Sequence, residues 1–419
     1  MDSQVLETFF RNLGFFIMPK ISEKAHLMPY SPIRKLSPFA DQAKSKGITV
    51  YHLNIGQPDI ETPVGMLAAV RDIRFKIWSY TPSEGIHSYR KKLSHYYQNL
   101  GYPTLEEDIL VTTGGSEALY IAMNICLEPH EEVLIPEPFY ANYNGFANMA
   151  GVKVKPVTSI IETAYALPNF ETIEKAIGPK TKAIVICSPN NPTGYLYTRE
   201  EIYALKDLVL RHDLFLIFDE AYRDFCYDGT AFFSPLQIPE LENHVIMVDT
   251  VSKRYSACGA RLGTFITKNK EVMDAALRFA QARLCSPQIA QIAAEAALDT
   301  PQEYFDKVRS EYEDRRDYLV KELNKLEGVK CPNPGGAFYV MPSLPVDDSD
   351  VFCRWLLEDF VHENQTLMLA PATGFYSDPL LGKNQVRIAY VLERKKLEKA
   401  MECLKLALEQ YPGNTLKKK

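Results

Sequence analysis

LFLIFDEAYRDF, residues 214–225, is five apolar residues in a row closed by a carboxylate. An apolar run without polar alternation reads as a strand buried on both faces, the habit of a parallel sheet covered by helices. Three more short runs read the same way: EVLIP (132–136), AIVIC (183–187) and VIMV (245–248). A helix-like stretch or a long connection separates each from the next. The helix candidates are 117–126, 199–211 and 288–298. Thr198, followed by Glu200 and Glu201, supplies a cap and acids at the start of the second. The pattern predicts an α/β fold around a mostly parallel sheet. Polar groups gather where the strands end: SPNNPTG (188–194) after one, Asp219, Glu220 and Tyr222 after the next, Thr250, Ser252 and Lys253 after another. Ligands of such sheets bind outside the carboxyl ends of the strands, so three clusters predict one site.

The last hundred residues differ. A long charged helix pattern at 303–326 leads to a turn, PNPGGAF (332–338), and a closing helix pattern at 394–411. We read a smaller α+β domain built from 18–62 and 320–419, a large domain at 63–319, and an N-terminal arm at 1–17. The arm's apolar stretch, FFRNLGFFIM (9–18), is interrupted by Arg11 and follows Asp2 and Glu7. It is therefore not a secretory signal, and translation from Met1 or from Met18 is consistent with the pattern. The absence of a targeting signal implies a cytoplasmic protein. No stretch reaches the ~18 apolar residues of a membrane span. A net charge of −6 argues against a nucleic-acid partner. Eight cysteines without a CxxC pair read as reduced structural thiols, and no metal ligands are assigned.

VDTVSKRYSACGARLG (248–263) carries the chemistry. An isolated Ser-Lys pair would be a surface lysine. Here Lys253 stands at a strand end with Arg261 eight residues on, and Thr250 and Ser252 offer hydroxyls to a phosphate. An imine-forming lysine needs a lowered pKa, from burial and nearby cations, and Arg261 can grip an anion. A lysine with its own phosphate anchor suggests a phosphorylated aldehyde, pyridoxal 5'-phosphate. That cofactor needs an anion against its pyridine nitrogen, and Asp219 qualifies. A cap or a salt bridge would explain Asp219 alone equally well. Tyr222 and Asn191 are placed to hydrogen-bond the ring's phenolic oxygen. TTGGSEAL (112–119) is a glycine loop opening a helix, either an ordinary helix start or one side of a phosphate cup through Gly115 and Ser116. Tyr140 in EPFYANY is a ring-stacking or a core aromatic residue. Arg387 in QVRIAY interrupts an apolar strand pattern, so a carboxylate is required: the substrate's α-carboxylate or a structural partner.

In family order and at family-like separations, NIGQPD (54–59), YTPSEG (80–85), TTGGSEAL, EPFYANY, SPNNPTG, DEAYRDF, SKRYSACGARLG, PGGAF (334–338) and VRIAY (386–390) resemble the fold-type I, class I/II aminotransferases of the aspartate aminotransferase-like kind. The resemblance covers residues 55–389. It implies a seven-stranded-type sheet and a cofactor carried as a Schiff base on Lys253, which also shuttles the proton. It implies Asp219 at the pyridinium and Asn191 and Tyr222 at the ring oxygen. Gly115, Ser116, Thr250, Ser252 and Arg261 are implied at the phosphate, with Tyr140 on the ring. Tyr80 is implied to reach the neighbouring subunit's phosphate, hence a homodimer with shared active sites. Arg387, with Gly56 and Asn191, is implied at the substrate carboxylate. Glu137 departs from the aspartate common before that proline, and the lysine loop is more polar than in many relatives.

By the same resemblance the reaction is amino transfer from an L-amino acid, aspartate or glutamate foremost, to a 2-oxo acid such as 2-oxoglutarate. Arg283 is a candidate for the distal carboxylate, against solvation on a helix surface. A broad-range or aromatic aminotransferase is the alternative, as is a Cβ–S lyase or cyclopropane-carboxylate-type synthase on the same fold. A non-catalytic regulatory descendant would carry a DNA-binding module, and no helix-turn-helix segment is visible.

Overall fold

The structure, a computed structural model, describes residues 19–378 and 380–418. The N-terminal arm read at 1–17, and Met18, lie outside the described residues. The strands, in chain order, are Thr49–His52 (β1), Ile109–Thr112 (β2), Glu132–Glu137 (β3), Lys153–Thr158 (β4), Thr181–Cys187 (β5), Phe215–Asp219 (β6), Val245–Thr250 (β7), Gly263–Ile266 (β8), Tyr339–Val340 (β9), Gln365–Met368 (β10), Ala370–Pro371 (β11) and Val386–Ala389 (β12).

Seven of them make one sheet in the order β2-β8-β7-β6-β5-β3-β4. Its strands β3 to β7 run parallel, and only β8 is reversed, pairing antiparallel with β7 and β2. The α/β class and the mostly parallel seven-stranded sheet agree with the sequence reading. The four apolar runs are β3, β5, β6 and β7. Their lack of alternation has a direct cause. Ile184, Ile186, Leu216, Phe218, Val245 and Met247 pack with Ile202, Leu205 and Val209 of helix Arg199–Arg211 on one face. Ala183, Val185, Ile217, Ile246 and Val248 pack with Ala118, Leu119 and Ala122 of helix Gly114–Cys126 on the other. Both faces are dry, and each large side chain so buried contributes roughly 1.5–3 kcal/mol. The edge strand β4 is different, with Lys153 and Pro156 exposed, a composition that discourages further pairing.

Helix Arg199–Arg211 spans the predicted range, and Thr198 caps it reciprocally with Glu201 at 3.1 and 2.8 Å. The ends of the chain build two smaller sheets. β1 pairs with β10, and β12 lies between β11 and β9. Helices Gln302–Leu323, Ser349–Glu358 and Arg394–Gln410 accompany them. No described helix is long and apolar enough to cross a membrane.

Candidate active site

The carboxyl ends of β2, β5, β6 and β7 share one edge of the sheet, and a cavity of about 720 Å³ opens there. Gly56, Gly115, Ser116, Tyr140, Asn191, Asp219, Tyr222, Thr250, Ser252, Lys253, Arg261 and Arg387 all line it. The sequence reading thus comes together at one place, save for Tyr80 and for Glu220, which pairs with Arg223 behind the cavity. The Tyr80 side chain is 79% exposed and belongs to no wall of the cavity.

Lys253 sits in the short helix Val251–Arg254 that follows β7. Its ammonium donates to the Gly56 carbonyl at 2.8 Å and lies 3.7 Å from Cys258 Sγ. Burial lowers its pKa. Cys258 opposes that shift, and Arg387 and Arg261 reinforce it. Gly56 has to be glycine: a Cβ there would lie 1.7 Å from the Tyr339 hydroxyl.

Asp219 ends β6 and is buried. Its carboxylate accepts from the Ala221 N–H at 3.1 Å and from the Tyr143 hydroxyl at 2.9 Å. Burial pushes it up to about 6 against these bonds, and Lys253 is the cation that opposes the shift. Neither of the bland readings holds. Asp219 has no ion pair among the described residues, and its one backbone bond caps no α-helix. A buried carboxylate with no paired cation has the capacity to accept one.

The opposite charge arrangement surrounds Arg387. It is 1% exposed, and its guanidinium donates to Asn191 Oδ1 at 2.9 Å and to the Asn54 carbonyl. The rings of Tyr339 and Phe375 flank it at 4.5 and 5.0 Å. No carboxylate pairs with it among the described residues, and its Nε has no acceptor. The structural salt bridge considered from sequence is therefore not there. A buried cation left with neutral partners has the capacity to pair with a carboxylate.

The third corner is an anion cup. Helix Gly114–Cys126 begins three residues earlier than the sequence pattern suggested, so Gly115 and Ser116 belong to its first turn. A Cβ on Gly114, which has φ +77°, would sit 2.6 Å from the Arg261 guanidinium. Arg261 also donates to the Cys258 carbonyl at 3.0 Å, and Thr250 Oγ1 meets Ser252 Oγ at 2.8 Å. A helix N-terminus, a guanidinium and two hydroxyls fit a phosphate. Beside the cup, Tyr222 and Tyr339 share a hydroxyl contact of 2.8 Å, and Asn142 donates to the Tyr140 hydroxyl at 2.7 Å.

Arg283 corrects both readings made of it. Its Nε donates to the two Glu117 oxygens at 2.9 and 3.2 Å, and its other nitrogens donate to the Ser83 and Val111 carbonyls at 3.2 and 2.7 Å. It is neither solvated nor free for a substrate: it clamps the glycine-loop helix. The sequence reading also missed Tyr143, Tyr339, Cys258 and Arg34, all at or against the cavity. A further omission lies behind it. Asp249 accepts from Arg223, Arg254 and Tyr97 at 2.8, 2.6 and 2.8 Å, and Glu220 pairs with Arg223 at 2.8 Å. The signal was available, since Asp249 ends an apolar run as Asp219 does.

Residues 48–404 match the family model described as aminotransferase class I and II. The aspartate aminotransferase of Bacillus subtilis (strain 168) is 31% identical over 405 residues, 94% of this chain and 100% of that protein. An alanine aminotransferase from Pyrococcus furiosus superposes with a TM-score of 0.86 at 30% identity, covering 93% of this chain and 100% of that one. The aspartate aminotransferase of Thermus thermophilus with maleate superposes with a TM-score of 0.83 at 30% identity over the same shares. All three relatives are aminotransferases by name, which favours amino transfer over the lyase, synthase and regulatory alternatives. A family match over most of the chain, with relatives about 30% identical along nearly their whole length, identifies this protein as a member of the class I and II aminotransferases and as a transaminase.

Proposed function

We propose that the chain transfers the amino group of aspartate or glutamate to a 2-oxo acid such as 2-oxoglutarate, with pyridoxal 5'-phosphate carried on Lys253. One observation supports this above the rest: Lys253, Asp219, Arg387 and the Gly115–Arg261 cup face a single cavity. The donor set fits the cofactor. The buried Asp219 carboxylate, which has no ion pair among the described residues, would hold the pyridinium. Asn191 and Tyr222 would donate to the ring oxygen and Tyr140 would lie on the ring. Gly115, Ser116, Thr250, Ser252 and Arg261 would hold the phosphate.

When bound, pyridoxal phosphate supplies the electron sink that side chains lack. The protein's part is positional and acid–base. Arg387, braced by Asn191 and Asn54, binds the substrate's α-carboxylate and fixes its Cα. Lys253, whose pKa burial lowers, takes the proton from Cα and would deliver it to a carbon of the cofactor. Gly56 orients that amine through its carbonyl. Lys253→Ala removes attachment and base together. We expect kcat to fall by at least about 10²–10⁴-fold, the range of a lost general base. A variant turning over at the normal rate with no added amine would refute the assignment.

The active unit we propose is a homodimer in which Tyr80 serves the neighbouring subunit's phosphate. Val64, Ile77, Trp78 and Tyr80 are 66–80% exposed within one stretch of chain, apolar surface of the sort that partners cover. We propose the domain limits 63–319 and 18–62 with 320–419. The later limit falls inside helix Gln302–Leu323, which would join the two parts.

A further inference from the structure

Among the described residues that line the cavity there are four cations, Arg34, Lys253, Arg261 and Arg387, and one carboxylate, Asp219. Lys253, Arg261 and Arg387 have tasks in the reading above. Arg34 has none. Its neighbour Lys35 is paired with Asp350, but the Arg34 guanidinium has no ion pair, hydrogen bond or ring contact among the described residues.

Arg34 is nonetheless firmly mounted. It sits in the turn 31–36, where its N–H donates to the Ser31 carbonyl at 3.1 Å. Pro32 packs on Gly374 so closely that a Cβ on that glycine would lie 2.4 Å from the proline ring. The Ile33 carbonyl accepts from Asn54 Nδ2 at 2.8 Å, and the carbonyl of that same Asn54 accepts from Arg387. One buried asparagine therefore ties the backbone beside Arg34 to the guanidinium that receives the α-carboxylate. The two arginines share one cavity, joined through one residue.

A dicarboxylic amino acid held at Arg387 brings its second carboxylate into this cavity. Arg283 cannot receive it, because all its nitrogens are engaged. Arg261 faces the phosphate cup. We infer that Arg34 binds the distal carboxylate of the substrate and thereby selects dicarboxylic over monocarboxylic donors. This rests on the transaminase site described above and deepens its donor assignment. Guanidinium–carboxylate pairing is bidentate and directional, so a lysine at the same place substitutes only in part.

The test uses the full-length holoenzyme with Arg34→Gln and Arg34→Lys. It follows the donor half-reaction alone, so that a dicarboxylic acceptor does not enter. Aspartate and glutamate are compared with alanine and phenylalanine, and succinate binding is measured as an amine-free probe. We expect the kcat/KM ratio of aspartate to alanine to fall about 10- to 100-fold in Arg34→Gln, the worth of one charge-assisted contact, mostly through the aspartate KM. Succinate affinity should fall in step, with Arg34→Lys between the two. If Arg34→Gln does not fold by circular dichroism, Arg34→Lys carries the same comparison. Ratios and succinate affinity within about twofold of the unmodified enzyme in the folded variants would overturn the role of Arg34 alone. An unmodified enzyme without preference for aspartate or glutamate would overturn the donor assignment, and this inference with it.

Discussion

Asp219 is a carboxylate kept in a place that disfavours its charge. Burial raises it to about 6, above its ordinary value of 3.8. A group raised on folding adds nothing below the unfolded value and costs stability as pH climbs through the folded one. For a rise of about two units that cost is about 3 kcal/mol, reached above pH 6. Asp219→Asn should therefore stabilise the cofactor-free chain by up to about that amount at pH 8, and by nothing at pH 4, while destroying activity. Urea unfolding of both chains at the two pH values is the measurement. Equal stabilities at pH 8 would contradict this account of the residue. Legibility at this scale followed chemistry that stands out against its neighbours. Lys253, Asp219 and Arg387 are charges at or within apolar runs, and each lies in the cavity. Arg34 follows a proline turn among ordinary surface residues, so its sequence context carries no signal. Arg283 was misread because its partner, Glu117, is 166 positions away in the chain.

At the scale of elements, the site depends on strand tips arriving together, and ionic groups behind them do much of the fastening. Asp249, near the end of β7, receives both Arg223 and Arg254 and the Tyr97 hydroxyl, with Thr250, one residue on, facing the cavity. Burial raises its pKa, but the two guanidiniums outweigh that and hold it down to about 2. Its contribution is therefore complete above the ordinary carboxylate value near 4 and is lost as pH falls toward 2. Asp249→Asn leaves two buried guanidiniums short of their anion, a change that costs about 3–5 kcal/mol. Thermal unfolding at pH 7 should show this loss, and the gap to the parent chain should narrow below pH 4. A variant as stable as its parent at pH 7 would mean the network is idle. The strands β3, β5, β6 and β7 were readable because burial on both faces leaves an unbroken apolar run. The strands β2, β4 and β8 were not singled out; β4, at the sheet's edge with Lys153 and Pro156 exposed, has no unbroken apolar run to mark it.

The whole molecule joins a parallel sheet, whose strand ends carry the residues we assign to the cofactor, to chain-terminal elements that carry Arg387, which we assign to the substrate's carboxylate. The Lys253 amine meets the Gly56 carbonyl, and Arg387 on β12 meets Asn191 after β5, so both halves of the chemistry depend on contacts nearly 200 residues apart in sequence. Motif order made the class of fold legible. It did not make legible which cations remain free, because that depends on every carboxylate within reach in three dimensions. The most direct test of the central claim is borohydride reduction of the purified holoenzyme, followed by peptide mass mapping. The account predicts one pyridoxyl-phosphate adduct per chain, on Lys253, with loss of activity in proportion to labelling. An adduct on another lysine, or a fully active enzyme that takes up none, would contradict it.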